Sequence, residues 1–514
     1  GDSRMNVMLT RHWQSPAMET TIGLVETLLP ATIEPPMKRT AIYYFVILIT
    51  VGAAIMGILH LGASLPLPGS ASAAQTTAAP AVPTEGSLLQ SALTTLGKNG
   101  AEPLSHLFLQ LLVIIGFSRI AGKIFVWAGQ PAVVGEMAAG ILLGPSLFGL
   151  IAPGPFAFIF TPSSLGTLKL MSQVGVCLFM FSVGMELDLK HVRTKAHTAV
   201  MVSHSSIVFP YLLGVILAYF LYSSLAHEGA SFLAFALFMG ISMSITAFPV
   251  LARIIQERGL SKTALGSTAI TCAAVDDVTA WSILAFVMAI VSASSVGASA
   301  LNLLLVLVFI AAMVWGVRPL LPWVLGRDRL ENADPSKGVL ALVLCTVLAA
   351  ALCTEIIGIH ALFGAFLAGT IMPEINGFRH KLALRMENFS SVLLLPLFFV
   401  FTGLRTQVGL LNDAQGWITC LLIIVVATVG KLGGSAIPAR LTGMSWSESL
   451  QLGALMNTRG LMELIALNIG FELGILSPRI FTMLVIMALV TTMLTGPLLT
   501  FFGSKQRALV PATT

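Results

Sequence analysis

Charge is what this sequence has least of. Its 514 residues include 28 lysines and arginines and 23 aspartates and glutamates, 10% of the chain, where a soluble globular protein carries about 25%. A water-facing surface cannot be assembled from so few ionised groups, which excludes an ordinary soluble enzyme. Cysteine is scarce as well: Cys177, Cys272, Cys345, Cys353 and Cys420 lie in apolar stretches without a CxxC pair. They read as small core hydrophobes and imply no disulfide or metal framework. The surplus of five positive charges is slight for this length. It calls for no nucleic acid, because the basic bias of cytoplasmic loops produces such a balance unaided. Apolar residues, by contrast, make up 56% of the chain, and the mean hydropathy is +0.91. The composition is that of an all-α polytopic membrane protein embedded in a lipid bilayer.

A helix crosses the hydrocarbon layer with about 20 apolar residues. Runs of that kind fall at about 41–62, 104–127, 131–150, 164–186, 197–222, 230–253, 264–291, 299–322, 338–358, 360–373, 389–403, 416–438, 448–470 and 479–502, fourteen in all, with those at 360–373 and 389–403 the shortest. Lysine and arginine fix the orientation, since cytoplasmic loops are enriched in them. Lys38, Arg39, Lys190, Arg193, Lys195, Arg253, Arg258, Lys262, Arg318, Arg327, Arg329, Lys337, Arg379, Lys381, Arg385, Arg440, Lys505 and Arg507 fall on one side; only Lys98, Lys169, Arg405 and Arg479 fall on the other. Both termini are therefore expected in the cytoplasm of a multi-pass inner (plasma) membrane protein. Residues 1–36 read as disordered, 37–62 as an anchor helix or signal segment, and 63–103, rich in Ala, Pro, Ser and Thr, as an extracytoplasmic linker. A membrane domain is expected over 104–502 and a short cytoplasmic tail over 503–514.

The two halves of that domain echo each other. Gly135-Glu136-Met137-Ala138-Ala139-Gly140, with Pro145 beyond, resembles Gly364-Ala365-Phe366-Leu367-Ala368-Gly369, with Pro373 beyond; Leu178-Phe179-Met180-Phe181 before Gly184 resembles Leu397-Phe398-Phe399-Val400 before Gly403. The matched segments run in opposite directions through the membrane, the inverted-repeat plan of many secondary transporters.

Chemistry concentrates where charge interrupts an apolar span. Asp276 and Asp277 are the only ionisable side chains between Lys262 and Arg318 and lie mid-span. Each acid at a bilayer centre costs about 2.5–3.5 kcal/mol even on insertion scales. They read either as a buried pair neutralised for packing alone or as carboxylates that bind a small cation or a proton. Lys431, in Gly430-Lys431-Leu432-Gly433-Gly434, stands alone within its span and is the natural counter-charge, with snorkelling to the interface as the plainer reading. Ser242-Met243-Ser244-Ile245-Thr246-Ala247-Phe248-Pro249 and Met456-Asn457-Thr458-Arg459-Gly460-Leu461-Met462-Glu463 look like breaks in two helices. The alternative is one proline kink and one Arg459–Glu463 pair at i, i+4 spacing. Arg119, Lys123 and Glu136 near span ends, and His360 at another, read as structural.

These stretches resemble a family. Gln130-Pro131-Ala132-Val133-Val134-Gly135-Glu136 running into Gly144-Pro145, Thr246-Ala247-Phe248-Pro249-Val250-Leu251-Ala252-Arg253, Val275-Asp276-Asp277-Val278 and Asn457-Thr458-Arg459-Gly460-Leu461-Met462-Glu463-Leu464 are similar to the monovalent cation:proton antiporters of the second cation:proton antiporter family, over about residues 104–502. The resemblance implies thirteen core helices plus one N-terminal span, two crossed discontinuous helices, and a homodimer. It implies that the second acid, Asp277, binds Na+, K+ or a proton, that Asp276 pairs with Lys431, and that exchange is electrogenic. Thr246 and Ser244 would add oxygens to the cation, and Asn457, Thr458, Arg459 and Glu463 form the polar lining of the second break. No cofactor is implied beyond the transported ions. With about a dozen residues past the last span, gating through a C-terminal nucleotide-binding domain, as in the glutathione-gated potassium-efflux relatives, is not expected. A cation-coupled solute symporter on the same fold is the alternative.

Overall fold

The computed structural model describes residues 88–507 except 101, 187–195, 262, 292–295, 327–335 and 376, together with helical positions Val46, Ile49, Ala53 and Met56. The sequence readings at 1–36, 63–87 and 508–514, most of the 41–62 span, and Lys190, Arg193, Lys195, Lys262, Arg327 and Arg329 lie outside the described residues. Ser87–Thr514 forms one unit, and its described residues are helical throughout apart from connections. In order come α1 (Leu88–Gly100), α2 (Pro103–Trp127), α3 (Ala132–Leu143), α4 (Pro162–Glu186), α5 (Ala196–Leu225), α6a (Phe232–Ser244), α6b (Phe248–Glu257), α7 (Ala264–Val291) and α8 (Val296–Ala311, prolonged to Leu325). Then follow α9 (Lys337–Ile357), α10 (Ala361–Thr370), α11 (Phe378–Phe389), α12 (Leu395–Arg405), α13 (Ala414–Leu441), α14a (Trp446–Met456), α14b (Leu461–Glu472) and α15 (Pro478–Arg507). Among the described residues eleven helical stretches are long and apolar enough to cross a membrane; α10 is a shorter apolar helix, and α14a and α14b are each too short alone.

Two assignments change. Leu88–Gly100 is helical where composition suggests a linker. Residues 378–389, read as a basic loop, form α11 and run through Ser390–Leu394 into α12. Arg379, Lys381 and Arg385 disguised that helix, yet Phe378, Leu382, Ala383 and Met386 are buried at i, i+4, i+5 and i+8, an amphipathic face. Of the five cysteines, Cys345 and Cys353 are exposed on α9, not core residues. Lipid is as apolar as a protein interior, so hydropathy does not separate the two environments.

Helices α2, α3, α4, α9, α10 and α12 pack into one wall; α5, α6a, α7, α13, α14a and α15 pack into another. Within the first wall, glycines permit backbone contact. A Cβ at Gly140 would collide with the Phe399 carbonyl of α12, and one at Gly369 with the Phe181 carbonyl of α4. One at Gly135 would press on the Ala121 carbonyl, and one at Gly364 on the Ala350 carbonyl, fourteen positions upstream in both cases. The four glycines are those of the sequence echo.

In the second wall both broken helices are explained locally. Ser231 caps α6a by accepting the Ala234 N–H at 3.2 Å. Pro249 has no N–H to offer Ile245 and its ring crowds that carbonyl, so the chain extends through Ile245 and Ala247 before α6b begins with Pro249 in its first turn. A Ser445–Glu448 capping box starts α14a. At the second break, Gly460 comes so near α6b that a Cβ would lie 2.8 Å from Val250 Cγ2. The two breaks meet: the Ala247 N–H donates to the Thr458 carbonyl at 3.0 Å, and the Thr246 hydroxyl donates to the Met456 carbonyl at 3.0 Å.

Candidate ion site at the helix crossing

Five charged side chains converge on the crossing with no exposed surface: Asp276, Asp277, Lys431, Arg459 and Glu463. An isolated buried charge costs several kcal/mol, so each needs a partner or a purpose. Lys431 finds two partners. Its Nζ donates to Asp276 Oδ2 at 3.1 Å and to Thr246 Oγ1 at 2.7 Å, so it does not snorkel. Gly430 and Gly434 make this possible by letting α13 close onto Pro210 and the Ser205 carbonyl of α5. The other Asp276 oxygen accepts from Ser206 Oγ at 3.0 Å and Ser203 Oγ at 3.4 Å. Asp276 is thus satisfied on both oxygens.

Asp277 is not. Successive residues on a helix point about 100° apart, and this carboxylate turns away from Lys431's hydrogen bonds into a place where neither oxygen has a hydrogen-bond partner among the described residues. The Phe248 N–H, opening α6b, approaches without completing a bond; the positive end of that half-helix faces the acid. Glu186, at the end of α4, is near enough to act on it electrostatically.

Arg459 works across the crossing. Its guanidinium donates to the Ser242 carbonyl and, at 2.6 Å, to the Met243 carbonyl in the last turn of α6a, and to Glu463 Oε2 at 2.9 Å. It therefore caps one half-helix C-terminus from the other broken helix while pairing with its own i+4 acid. The unwound segment beneath is held by α15. Thr492 Oγ1 accepts the Arg459 N–H at 3.0 Å, Asn457 Nδ2 donates to the Thr491 carbonyl at 3.4 Å, and Thr458 and Thr495 hydroxyls lie 3.4 Å apart. Ser244 points elsewhere, donating to the Gly240 carbonyl at 2.7 Å within α6a and lying 3.1 Å from the Ile207 carbonyl. Buried oxygens without partners remain on Asn457 Oδ1, Ser242 Oγ and Glu463 Oε1.

A cavity of about 510 Å³ enters between the two walls. Arg119, Glu136, Ser182, Glu186, Arg253 and Gln256 give it a polar lining, and it reaches Ala247, Pro249, Val250 and Leu461 at the edge of the crossing. Arg119 pairs with Glu136 at 3.4 Å there, so residues read as merely structural line a water-sized approach. Asp277 itself does not line the cavity; it sits beyond the residues that do, fully buried.

The sequence reading did not single out Ser203, Ser206, Thr491, Thr492 or Thr495. The one signal available was hydroxyl density within apolar spans, as in Ser203-His204-Ser205-Ser206.

Two broken helices meeting over a buried acid pair and a lysine, reached by a polar cavity, define the architecture of a secondary ion transporter. The chain belongs to the sodium/hydrogen exchanger family, whose transmembrane domain matches residues 103–505. It is 43% identical over 389 residues to the Na+/H+ antiporter NhaS4 of a Synechocystis strain, covering 76% of this chain and 95% of that one. Cation/H+ antiporter 17 of Arabidopsis thaliana is 39% identical, with 80% and 51% covered, and K+/H+ antiporter 1 of Saccharomyces cerevisiae is 33% identical, with 78% and 46% covered. The chain spans nearly all of the cyanobacterial protein and about half of the plant and yeast ones. The solved sodium proton antiporter MjNhaP1 of Methanocaldococcus jannaschii shares the fold, with a TM-score of 0.56 at 15% identity over 79% of this chain and 99% of that one.

Proposed function

We propose that the protein is a secondary active antiporter that exchanges Na+ or K+ for protons by competition at Asp277, one for one and so without net charge transfer, in place of the electrogenic exchange that the resemblance implies. One observation carries this: Asp277 is a fully buried carboxylate with both oxygens unpartnered among the described residues, beside an Asp276 whose oxygens are all engaged. In their usual ionised forms, the five buried side chains of the crossing carry three negative and two positive charges. One monovalent cation or one proton restores neutrality, and a neutral crossing moves through low dielectric at least cost. The competing occupants therefore take turns. The unpartnered Asn457 and Ser242 oxygens and the carbonyls of the breaks supply further hard ligands, while Thr246 serves through its bond to Lys431. The names of the relatives favour antiport over solute-coupled symport.

The finer architecture follows the same reading. With α10 and the α14a–α14b pair counted as crossings, the described unit has thirteen; the matched glycine contacts support an inverted repeat, and both termini lie in the cytoplasm of the plasma membrane, where the cavity opens. A homodimer completes the assembly. Asp277→Asn tests the core of the proposal: proton-coupled Na+ and K+ flux in everted vesicles falls to background, and retained flux removes Asp277 from the site.

A further inference from the structure

The boundary between the two walls does not stop at the cavity. On α4 one helical stripe lines the cavity through Phe179, Val183 and Glu186 and continues away from it through Val176, Gln173 and Ser172. On α14b the same is true of Leu461 at the cavity and of Ile465, Asn468 and Glu472 beyond it. Spacings of three and four keep each series on one face. Yet the far half encloses only a remnant pocket of about 20 Å³, room for roughly one water.

Specific bonds close that half. Arg405 of α12 donates to Glu472 Oε1 at 2.9 Å and to Asn468 Oδ1 at 2.8 Å, and Lys169 of α4 stands 3.1 Å from the same Glu472 oxygen. Asn468 Nδ2 donates to Thr402 Oγ1 at 2.8 Å. The Arg405 guanidinium lies 4.2 Å from the Phe401 ring centroid and 5.3 Å from that of Phe471, one aromatic on each side of the boundary. His360, held at φ 76° as the cap of α10, lines the same pocket. Every charged contact joins α4 or α12 in one wall to α14b, which continues the broken helix of the other.

We propose that this pocket is the second entrance to Asp277, a monovalent-cation path held shut by two internal cations. The inference rests on the antiport reading. Arg405 and Lys169 occupy the carboxylate and amide oxygens that a partly hydrated Na+ or K+ would meet first on entering from that face. The cavity end is open while this end is bolted, and reversal of access requires the Arg405–Glu472–Lys169 cluster to part as the walls shift. Glu472 and Asn468 then face the aqueous phase as the first oxygens on the way in.

The test reads accessibility, not flux. Gln173→Cys in the closed pocket and Ser182→Cys in the cavity are labelled with a membrane-impermeant maleimide in right-side-out and inside-out vesicles, the parent protein serving as blank. Adding Glu472→Gln speeds labelling at position 173 about tenfold and slows it at position 182. The exchanged pair Arg405→Glu with Glu472→Arg returns both rates toward the starting values. Thr402→Val, nearly isosteric, removes the Asn468 bond across the boundary, together with the hydroxyl's own bond to the Phe398 carbonyl within α12, and speeds labelling at 173 about threefold. If neither Glu472→Gln nor Thr402→Val changes the rate at 173 in protein that still elutes as a folded species, the proposal is overturned. Parallel flux measurements on the parent stand or fall separately, so loss of the antiport reading and loss of the entrance are told apart.

Discussion

Asp276 and Asp277 are the same residue type, adjacent on one helix and equally buried, yet their surroundings are opposite. Asp276 accepts from Lys431, Ser203 and Ser206; Asp277 accepts no completed hydrogen bond from the described residues. A saturated carboxylate holds the fold, while an unsaturated one stores an unmet demand that a mobile ion can fill. Burial and conservative chemistry alone would not have separated the two roles; hydrogen-bond geometry does.

The strongest way to break this contrast is to neutralise each acid in turn. Asp277→Asn loses exchange altogether, yet melts in detergent at or above the parent temperature, because an unpartnered buried charge has been removed. Asp276→Asn leaves Lys431 a buried cation without its counter-charge and costs about 3–5 kcal/mol, read as a lowered Tm. Equal melting behaviour of the two variants would collapse the distinction. Lys431→Ala should destabilise on a similar scale, and the double variant with Asp276→Asn should cost much less than the two single costs combined. Additive costs would mean that the 3.1 Å contact contributes nothing. A smaller effect is expected from Thr492→Val, which strands the Arg459 N–H and costs about 1–3 kcal/mol; an unchanged Tm would show that α15 does not anchor the second break.

The smallest effect lies far from the crossing. Asp413 caps α13 through the Gly416 N–H at 3.2 Å and is bonded by Arg479. The hydrogen bond from Arg479 holds its carboxyl below the usual carboxylate range. A depressed value stabilises the fold above the ordinary carboxylate pKa of about 3.9 and loses that contribution as pH falls through the lowered value. The Tm difference between the parent and Asp413→Asn should therefore be present at neutral pH and shrink on acidification, and a pH-independent difference would exclude the ion pair as its cause.

Much of the site was legible in the sequence because charge in an apolar run is conspicuous. Asp276, Asp277, Lys431 and the Pro249 break all stand out against their neighbours, and the structure brings Thr246, Asp276 and Lys431 into direct contact. Ser203 and Ser206 did not stand out, since a hydroxyl can bond back to its own helix and costs little in an apolar span. Ser244 illustrates the same ambiguity from the other side: it sits in the right motif but spends its hydroxyl on α6a. The cavity was invisible because residues 119, 186, 253 and 461 approach one another only after packing. Helix α11 was missed because an amphipathic helix bearing basic residues has the composition of a cytoplasmic loop.

The backbone bond from Ala247 to Thr458, the Thr246 bond to Met456 and the guanidinium of Arg459 on α6a stitch the two interrupted helices at three points. Neither strand of that stitch can slide without dragging the other. The coordination geometry would then ride through the bilayer as one cassette, unaltered between loading and unloading. Discrimination among Na+, K+ and Li+ should accordingly be identical whichever way the gradient is imposed.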